Sequence, residues 1–236
     1  TSGPGLSLGQ EAMSFMSCAD LPAVILDIMR PGPGDGDIMA GQADYYQLTR
    51  GGGHGDYRNI ILAPYTVDEG CRLMQLAFDL AEKYHNPVVV ASDGNLAKLR
   101  ESVELPGRTH VPSPEEQYNV LSGYDPDVRD KHVFLTGMNG VAEVIEFNER
   151  LQKKFKAITE NEVRYERYNC EDADIILVAY GSLARVCISA MKQARAEGIK
   201  VGMIRPITLW PFPEQAFADL DGKIFLCCEL SAGQMI

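Results

Sequence analysis

Thr1-Ser2-Gly3-Pro4-Gly5, running straight into Leu6-Ser7-Leu8-Gly9-Gln10-Glu11-Ala12-Met13-Ser14-Phe15-Met16, is the stretch on which the reading of this chain turns. Gly3 and Gly5 remove side chains where a backbone must bend sharply or let a ligand come close, and Pro4 stiffens the bend between them. The residues from Leu6 to Met16 read as a helix, whose free N-terminal N–H groups point back across the glycines. A tight strand-to-helix turn with no ligand fits the same letters, so the surrounding text has to decide between them.

Downstream, Pro22-Ala23-Val24-Ile25-Leu26-Asp27-Ile28 is an apolar run with one acid near its end, the pattern of a strand buried on both faces. Met29-Arg30-Pro31-Gly32-Pro33-Gly34-Asp35-Gly36-Asp37 can be neither helix nor strand and makes an ordered loop at that strand's carboxyl end, where open α/β sheets hold ligands. A short helix is expected over Gln42–Leu48, then the glycine-rich Gly51–Gly55 and a short strand over Asn59–Ala63. Thr66 and Glu69 form a capping box for a helix whose Val67, Cys71, Met74, Phe78 and Ala81 share one face, and Pro87 stops it before the strand Val88–Ala91. From about Glu101 to Gly140 prolines and glycines punctuate polar text, as in a long surface connection. Val141, Val144, Ile145, Leu151, Phe155 and Ile158 mark a long helix with a charged, solvated opposite face.

A second strand–helix–strand unit begins near Glu171. Ala173–Tyr180 is a strand, Gly181-Ser182 turns into a helix carrying Leu183, Cys187, Ala190 and Ala194 on one face, and Gly198 closes it. Val201–Ile204 and Ile224–Cys228 are further strands, with Leu209, Trp210 and Phe212 in a loop bracketed by Pro206, Pro211 and Pro213. This rhythm predicts parallel sheets with right-handed crossovers.

With 236 residues, 45% of them hydrophobic and 23% charged, the chain has the composition of a globular protein with a real core. A net charge of -11 argues against a nucleic-acid footprint, and no apolar run reaches membrane-spanning length. A cytoplasmic home is the default expectation. None of the six cysteines (Cys18, Cys71, Cys170, Cys187, Cys227, Cys228) forms a C-x-x-C pair, so buried reduced thiols are expected and no cluster or zinc site.

Thr-Ser-Gly-Pro-Gly before a helix and a buried strand resembles the pyrimidine-binding domain of thiamine-diphosphate enzymes. The run Gly51-Gly52-Gly53-His54-Gly55-Asp56-Tyr57-Arg58 narrows the likeness to the alpha subunit of 2-oxoacid:ferredoxin oxidoreductases, most like the branched-chain (2-oxoisovalerate) type. Val178-Ala179-Tyr180-Gly181-Ser182, Arg205-Pro206-Ile207-Thr208-Leu209-Trp210-Pro211-Phe212-Pro213 and Glu229-Leu230-Ser231-Ala232-Gly233-Gln234 resemble the carboxy-terminal domain of the transketolase superfamily. The likeness implies an α/β fold: a partial pyrimidine-binding domain over 1–105, a connector with a long helix over 106–165, and a truncated transketolase-like domain over 166–236. It implies oxidative decarboxylation of a 2-oxoacid to an acyl-CoA, with thiamine diphosphate and magnesium shared with a beta subunit. Iron–sulfur clusters on other subunits (gamma and a ferredoxin-like delta) would pass electrons to ferredoxin. Another 2-oxoacid, such as pyruvate or 2-oxoglutarate, an acetolactate-synthase-like enzyme and a non-catalytic α/β scaffold are the competing readings.

Arg30 is the candidate substrate residue. It follows a strand and precedes a rigid loop, and a guanidinium matches a planar carboxylate with two parallel hydrogen bonds. A surface arginine paired with Asp35 or Asp37 is the alternative. By the resemblance, Thr1, Ser2, Gly3, Pro4 and Gly5 line the aminopyrimidine and thiazolium region, and Gln42 approaches the same ring. His54 and Asp56 are too few for a metal site and read as turn chemistry, with a place in the active-site wall left open. Gly34-Asp35-Gly36 lacks the paired asparagines that go with a diphosphate site, so no metal ligand is assigned here and the metal is expected on a partner. The activating glutamate and a substrate-contacting threonine of the resembled family lie upstream of the Gly-Pro-Gly turn. The chain is therefore expected to be a fragment, with no catalytic residue of its own and no activity alone.

Overall fold

The computed structural model describes residues 1–105, 107 and 136–236. The expected surface connection therefore lies mostly outside the described residues. Two four-stranded sheets organise the rest. The first runs β1 (Ala23–Met29), β3 (Pro87–Asp93), β2 (Ile60–Leu62), β7 (Thr208–Trp210), parallel except for the antiparallel β2–β7 pair. The second runs β4 (Tyr165–Tyr168), β6 (Val201–Pro206), β5 (Ile175–Val178), β8 (Ile224–Cys227), with β4 antiparallel to β6 and the rest parallel. The fold is thus the expected α/β type, with one antiparallel edge strand in each sheet.

Helix α1 (Pro4–Cys18) starts at the proline, whose fixed φ and missing N–H suit a first helical position. Between β1 and β2 comes a single short helix, α2 (Tyr45–Thr49). Helix α3 (Val67–Tyr84) begins at Thr66, whose hydroxyl accepts the Glu69 N–H at 3.1 Å. The capping box is only half made. The Glu69 carboxylate takes the Tyr65 N–H at 2.9 Å and two guanidinium contacts from Arg205 at 3.0 and 2.8 Å. The buried face of α3 is Leu73, Ala77, Leu80 and Ala81, not the expected row from Val67 to Phe78. Val67, Cys71, Met74 and Phe78 instead wall an open groove against Leu26 and Ile28 of β1. For the same reason β1 is not buried on both faces: Asp27 and Met29 are enclosed, while Leu26 is 44% exposed.

Helix α4 (Val141–Asn161) buries Leu151, Phe155 and Ile158, whereas its early apolar residues Val141, Val144 and Ile145 stay exposed. Its charged face is not wholly solvated, since Arg150 and Lys154 both bind Asp20 after α1. At its end Glu162 accepts from Lys83 Nζ and Tyr84 OH, each at 2.6 Å, and from Arg164 at 2.8 Å, fastening α3 to the approach to β4. Helix α5 (Gly181–Ala196) buries Ala184, Cys187 and Met191, a face rotated from the expected one.

The Arg205–Pro213 run, expected as a loop, ties the two halves together. Arg205 is fully buried, gripping Glu69 from α3 and Glu166 from β4 at 2.8 and 2.9 Å with its guanidinium over the Tyr65 ring. After Pro206 the chain leaves the second sheet, adds β7 to the first, and drops Leu209 into the first core with Trp210 edge-on to Phe155. Among the described residues no helix is long and apolar enough to cross a membrane. Cys170 and Cys187 are buried and the other four thiols half-buried, and all six are free.

Candidate functional site

The opening turn is held from two sides. Thr1 lies along β1, its carbonyl accepting the Ile28 N–H at 2.8 Å and its nitrogen donating to Leu26 O at 2.9 Å. Gly3 adopts φ 49° and ψ -116°, a conformation a side chain would strain, and its N–H donates to Asp44 Oδ2 at 3.0 Å. No side chain caps α1 at this residue.

Arg30 follows β1 directly and its guanidinium lies over this turn. A Cβ built on Gly3 would stand 3.6 Å from Arg30 Nε and 3.8 Å from Nη2. Among the described residues Arg30 forms no ion pair with Asp35 or Asp37, and its buried Nε has no partner at all. A buried, unpaired guanidinium nitrogen is costly, so the arrangement is one that an arriving acceptor would complete.

Beside the turn opens a cavity of about 860 Å³, which Pro31 lines but Arg30 itself does not. Its walls are the α1 start (Gly3, Pro4, Ser7, Leu8), the loop from Pro31 to Gly34, the approach to α2, and the second half's Leu230–Gln234 stretch. Of the expected cofactor residues, Gly3 and Pro4 line it, while Thr1, Ser2, Gly5 and Gln42 are not among its lining residues. Gln42 is fully buried with both ends of its carboxamide engaged, donating to Tyr180 O at 3.1 Å and accepting the Leu230 N–H at 2.8 Å. It therefore acts as a tie that sets the second half against the cavity. Asp93, from the end of β3, completes that tie by accepting the Ser182 N–H at 2.9 Å. The Gln234 side chain adds a donor to Ala43 O and an acceptor for the Tyr46 N–H, both at 2.9 Å.

Beneath the turn, Asp27 is fully buried and neither carboxyl oxygen meets an N–H or O–H donor of the described residues. Burial first, then the charge of Asp44 facing it at hydrogen-bonding range, push its pKa up to about 8.

The Gly51–Arg58 run lies along the flank of α1 rather than in this cavity. Tyr57 OH donates to Gln10 Oε1 at 2.7 Å, Gln47 donates to Ser7 Oγ at 2.8 Å, and a Cβ on Gly52 would collide with both glutamines. His54 contributes its carbonyl, which accepts from Ser14 Oγ at 2.9 Å. His54 and Asp56 border a separate small cavity of about 270 Å³ near the far end of α1. In the Gly34–Gly36 loop both Asp35 and Asp37 are exposed, and the Asp37 N–H folds back on Pro31 O at 3.3 Å.

Sequence reasoning passed over Asp27, Asp44 and Asp93. The first was noted only as an acid ending a strand. A lone carboxylate within an apolar run is the signal that it needed.

Two α/β halves locked together, with a glycine turn and an arginine at a strand's carboxyl end, define a thiamine-enzyme-type architecture. A family profile described as "Pyruvate flavodoxin/ferredoxin oxidoreductase, thiamine diP-bdg" matches residues 1–167, and "Pyruvate:ferredoxin oxidoreductase core domain II" matches residues 173–236. The chain belongs to this oxidoreductase family. Over its whole length it is 49% identical to "Ketoisovalerate oxidoreductase subunit VorB" of Methanothermobacter marburgensis and 47% identical to the same subunit of Methanothermobacter thermautotrophicus. It spans 66% of the length of each. The "2-oxoglutarate synthase subunit KorA" of Methanocaldococcus jannaschii is 34% identical over all of this chain and 69% of its own length. In fold, the chain superposes on "2-oxoglutarate:ferredoxin oxidoreductase from Magnetococcus marinus with 2-oxoglutarate, coenzyme A and succinyl-CoA bound". That match has a TM-score of 0.78 and 24% identity, over 97% of this chain and 45% of that one.

Proposed function

We propose that this chain is the substrate-anchoring part of a 2-oxoacid:ferredoxin oxidoreductase complex that converts 2-oxoisovalerate to its branched acyl-CoA, with ferredoxin as electron acceptor. The observation that carries the reading is Arg30, whose guanidinium lies over Gly3 with a buried, unpaired Nε. A 2-oxoacid carboxylate would satisfy it through charge-assisted hydrogen bonds. The apolar cavity wall of Leu8, Pro31, Pro33, Ala43, Leu230 and Ala232 suits an aliphatic side chain. The ketoisovalerate name of the relatives at 49% and 47% identity supports the branched substrate over 2-oxoglutarate, whose namesakes lie at 33–35%.

The residues present fit the aminopyrimidine end of thiamine diphosphate: Gly3 and Pro4 offer bare backbone at the cavity, with Thr1 held firmly behind them on β1. When bound, that cofactor supplies the carbon nucleophile and the electron sink for decarboxylation. This chain's own residues bind and orient. Arg30 grips the carboxylate, the Gly3–Pro4 surface excludes water, and Leu230–Ala232 close one wall. The diphosphate and its magnesium belong to a beta subunit, and the iron–sulfur clusters to gamma and delta subunits of the same complex.

The test is Arg30→Ala in the complete complex, assayed with 2-oxoisovalerate, coenzyme A and ferredoxin. Losing one partner of a desolvated charge pair predicts a KM rise of about 100-fold, with Arg30→Lys falling between as a point charge. Unchanged kinetics in Arg30→Ala would make the chain a scaffold.

A further inference from the structure

We propose that Asp27 is a positioning residue: it keeps its proton and donates it to Asp44, so that Asp44 stays aimed at the Gly3 amide and fixes the turn against which the cofactor rests. The inference depends on the functional reading above for its consequence, but not for the location of the proton.

Three features of the geometry converge. Asp27 points from β1 into the layer under α1, fully buried, with both oxygens lacking a donor among the described residues. An ionised carboxylate there would be one of the most costly groups in the fold, whereas a protonated one needs a single acceptor. That acceptor is present, because the carboxyl of Asp44, itself only 5% exposed, faces Asp27 at hydrogen-bonding range. Asp44 also takes the Gly3 N–H at 3.0 Å, so it already has a donor of its own, and it lines the cavity. Two carboxyl groups so close repel when both are charged, and Asp27 is the one whose oxygens meet no donor among the described residues, so the proton belongs on Asp27. The backbone nitrogen of Thr1, on the same strand edge, is engaged by Leu26 O at 2.9 Å and so is not a donor to Asp27. Met29, two residues on and therefore on the same face of β1, is fully buried and apolar.

The consequence has a definite sign. The folded state holds the Asp27 proton more tightly than the unfolded chain does, since burial and Asp44 push its pKa up to about 8. Its contribution to stability is therefore complete below the ordinary aspartate range and is lost as pH rises towards about 8. Once Asp27 ionises, it repels Asp44, and the restraint on Gly3 weakens.

The experiment uses the complete complex with Asp27→Asn, which keeps a neutral donor, and Asp27→Leu, which keeps bulk without one. Infrared spectroscopy at pH 7 should show a protonated carboxyl band in the wild type that is absent from Asp27→Asn. Thiamine diphosphate affinity in the wild type should fall about tenfold between pH 7 and pH 9, the size expected for one charge-assisted hydrogen bond. Asp27→Asn should hold its affinity flat with pH, and Asp27→Leu should be about tenfold weaker already at pH 7. Absence of the band, or an Asp27→Asn pH profile that matches the wild type, overturns the proposal. If Asp27→Leu does not assemble, those two measurements still decide. The band stands whatever the Arg30→Ala assay returns, so a wrong substrate reading and a wrong proton assignment give different results.

Discussion

Helix α1 starts at Gly3-Pro4-Gly5 and helix α5 at Tyr180-Gly181-Ser182, each through a glycine with positive φ, 49° and 62°. Each helix sits beside the carboxyl end of a parallel strand. The surroundings then part company. At α5 the end is plugged: Asp93 accepts the Ser182 N–H, Gln42 binds Tyr180 O, and a Cβ on Gly181 would stand 2.9 Å from Gln42 Nε2 and 3.0 Å from Asp93 Oδ2. At α1 the Asp44 carboxylate accepts the Gly3 N–H at 3.0 Å, but the nearest atoms to a Cβ on Gly3 are those of Arg30 at 3.6 and 3.8 Å, and the turn borders the large cavity. A carboxylate reaches both turns, and what sets the first apart is the Arg30 guanidinium lying over it, its Nε without a partner among the described residues. The same local turn can therefore serve packing or binding, depending on which charge the fold brings to it.

Three substitutions sharpen or break this contrast. The largest stability effect is expected for Asp93→Ala, which strips an acceptor from the N–H groups of Ser182, Asn95 and Leu96. Urea unfolding should show a loss of about 3 kcal/mol with unchanged m, and a loss below about 0.5 kcal/mol would mean that the plug is not structural. Gly181→Ala comes next, at about 2 kcal/mol by the same measurement, because strain at positive φ is joined by crowding against two polar atoms. Gly3→Ala should be the mildest on unfolding, about 1 kcal/mol from φ strain alone. Calorimetric titration of the complex should nevertheless show about a tenfold loss of thiamine diphosphate affinity, because the added methyl sits where the cofactor approaches. If Gly3→Ala instead matched Gly181→Ala in unfolding and left affinity intact, the α1 end would be a packing site too.

Much of the fold was legible because it rests on short-range rules. The Gly-Pro-Gly start of α1, the Thr66 cap, the β-branched run of β3 and the glycine closing α5 at Gly198 are each set by a few neighbouring residues. The placement of Arg30 at the sheet's edge was legible for the same reason, since a strand followed by Pro-Gly-Pro-Gly leaves its last side chain there. Helix faces were less legible. The apolar row of α3 from Val67 to Phe78 looked like core, yet it walls an open groove, because periodicity shows that a face is apolar and not what covers it. Gln42 could not be placed either. Its amide suits a cofactor or a backbone equally well, and only the docking of the second half selects Tyr180 and Leu230 as its partners.

By itself the sequence determined the alternation of strands and helices, the backbone freedom at the opening turn, and a lone cation beside it. Those are consequences of covalent geometry and residue volume within a few positions along the chain. Tertiary structure alone decided that β7 leaves its own half to finish the first sheet, that Asp93 closes one helix end, and that Asp27 and Asp44 share a layer beneath the other. Groups far apart in the chain acquire their protonation and their partners only when folding removes water from between them, and no local pattern encodes that distance.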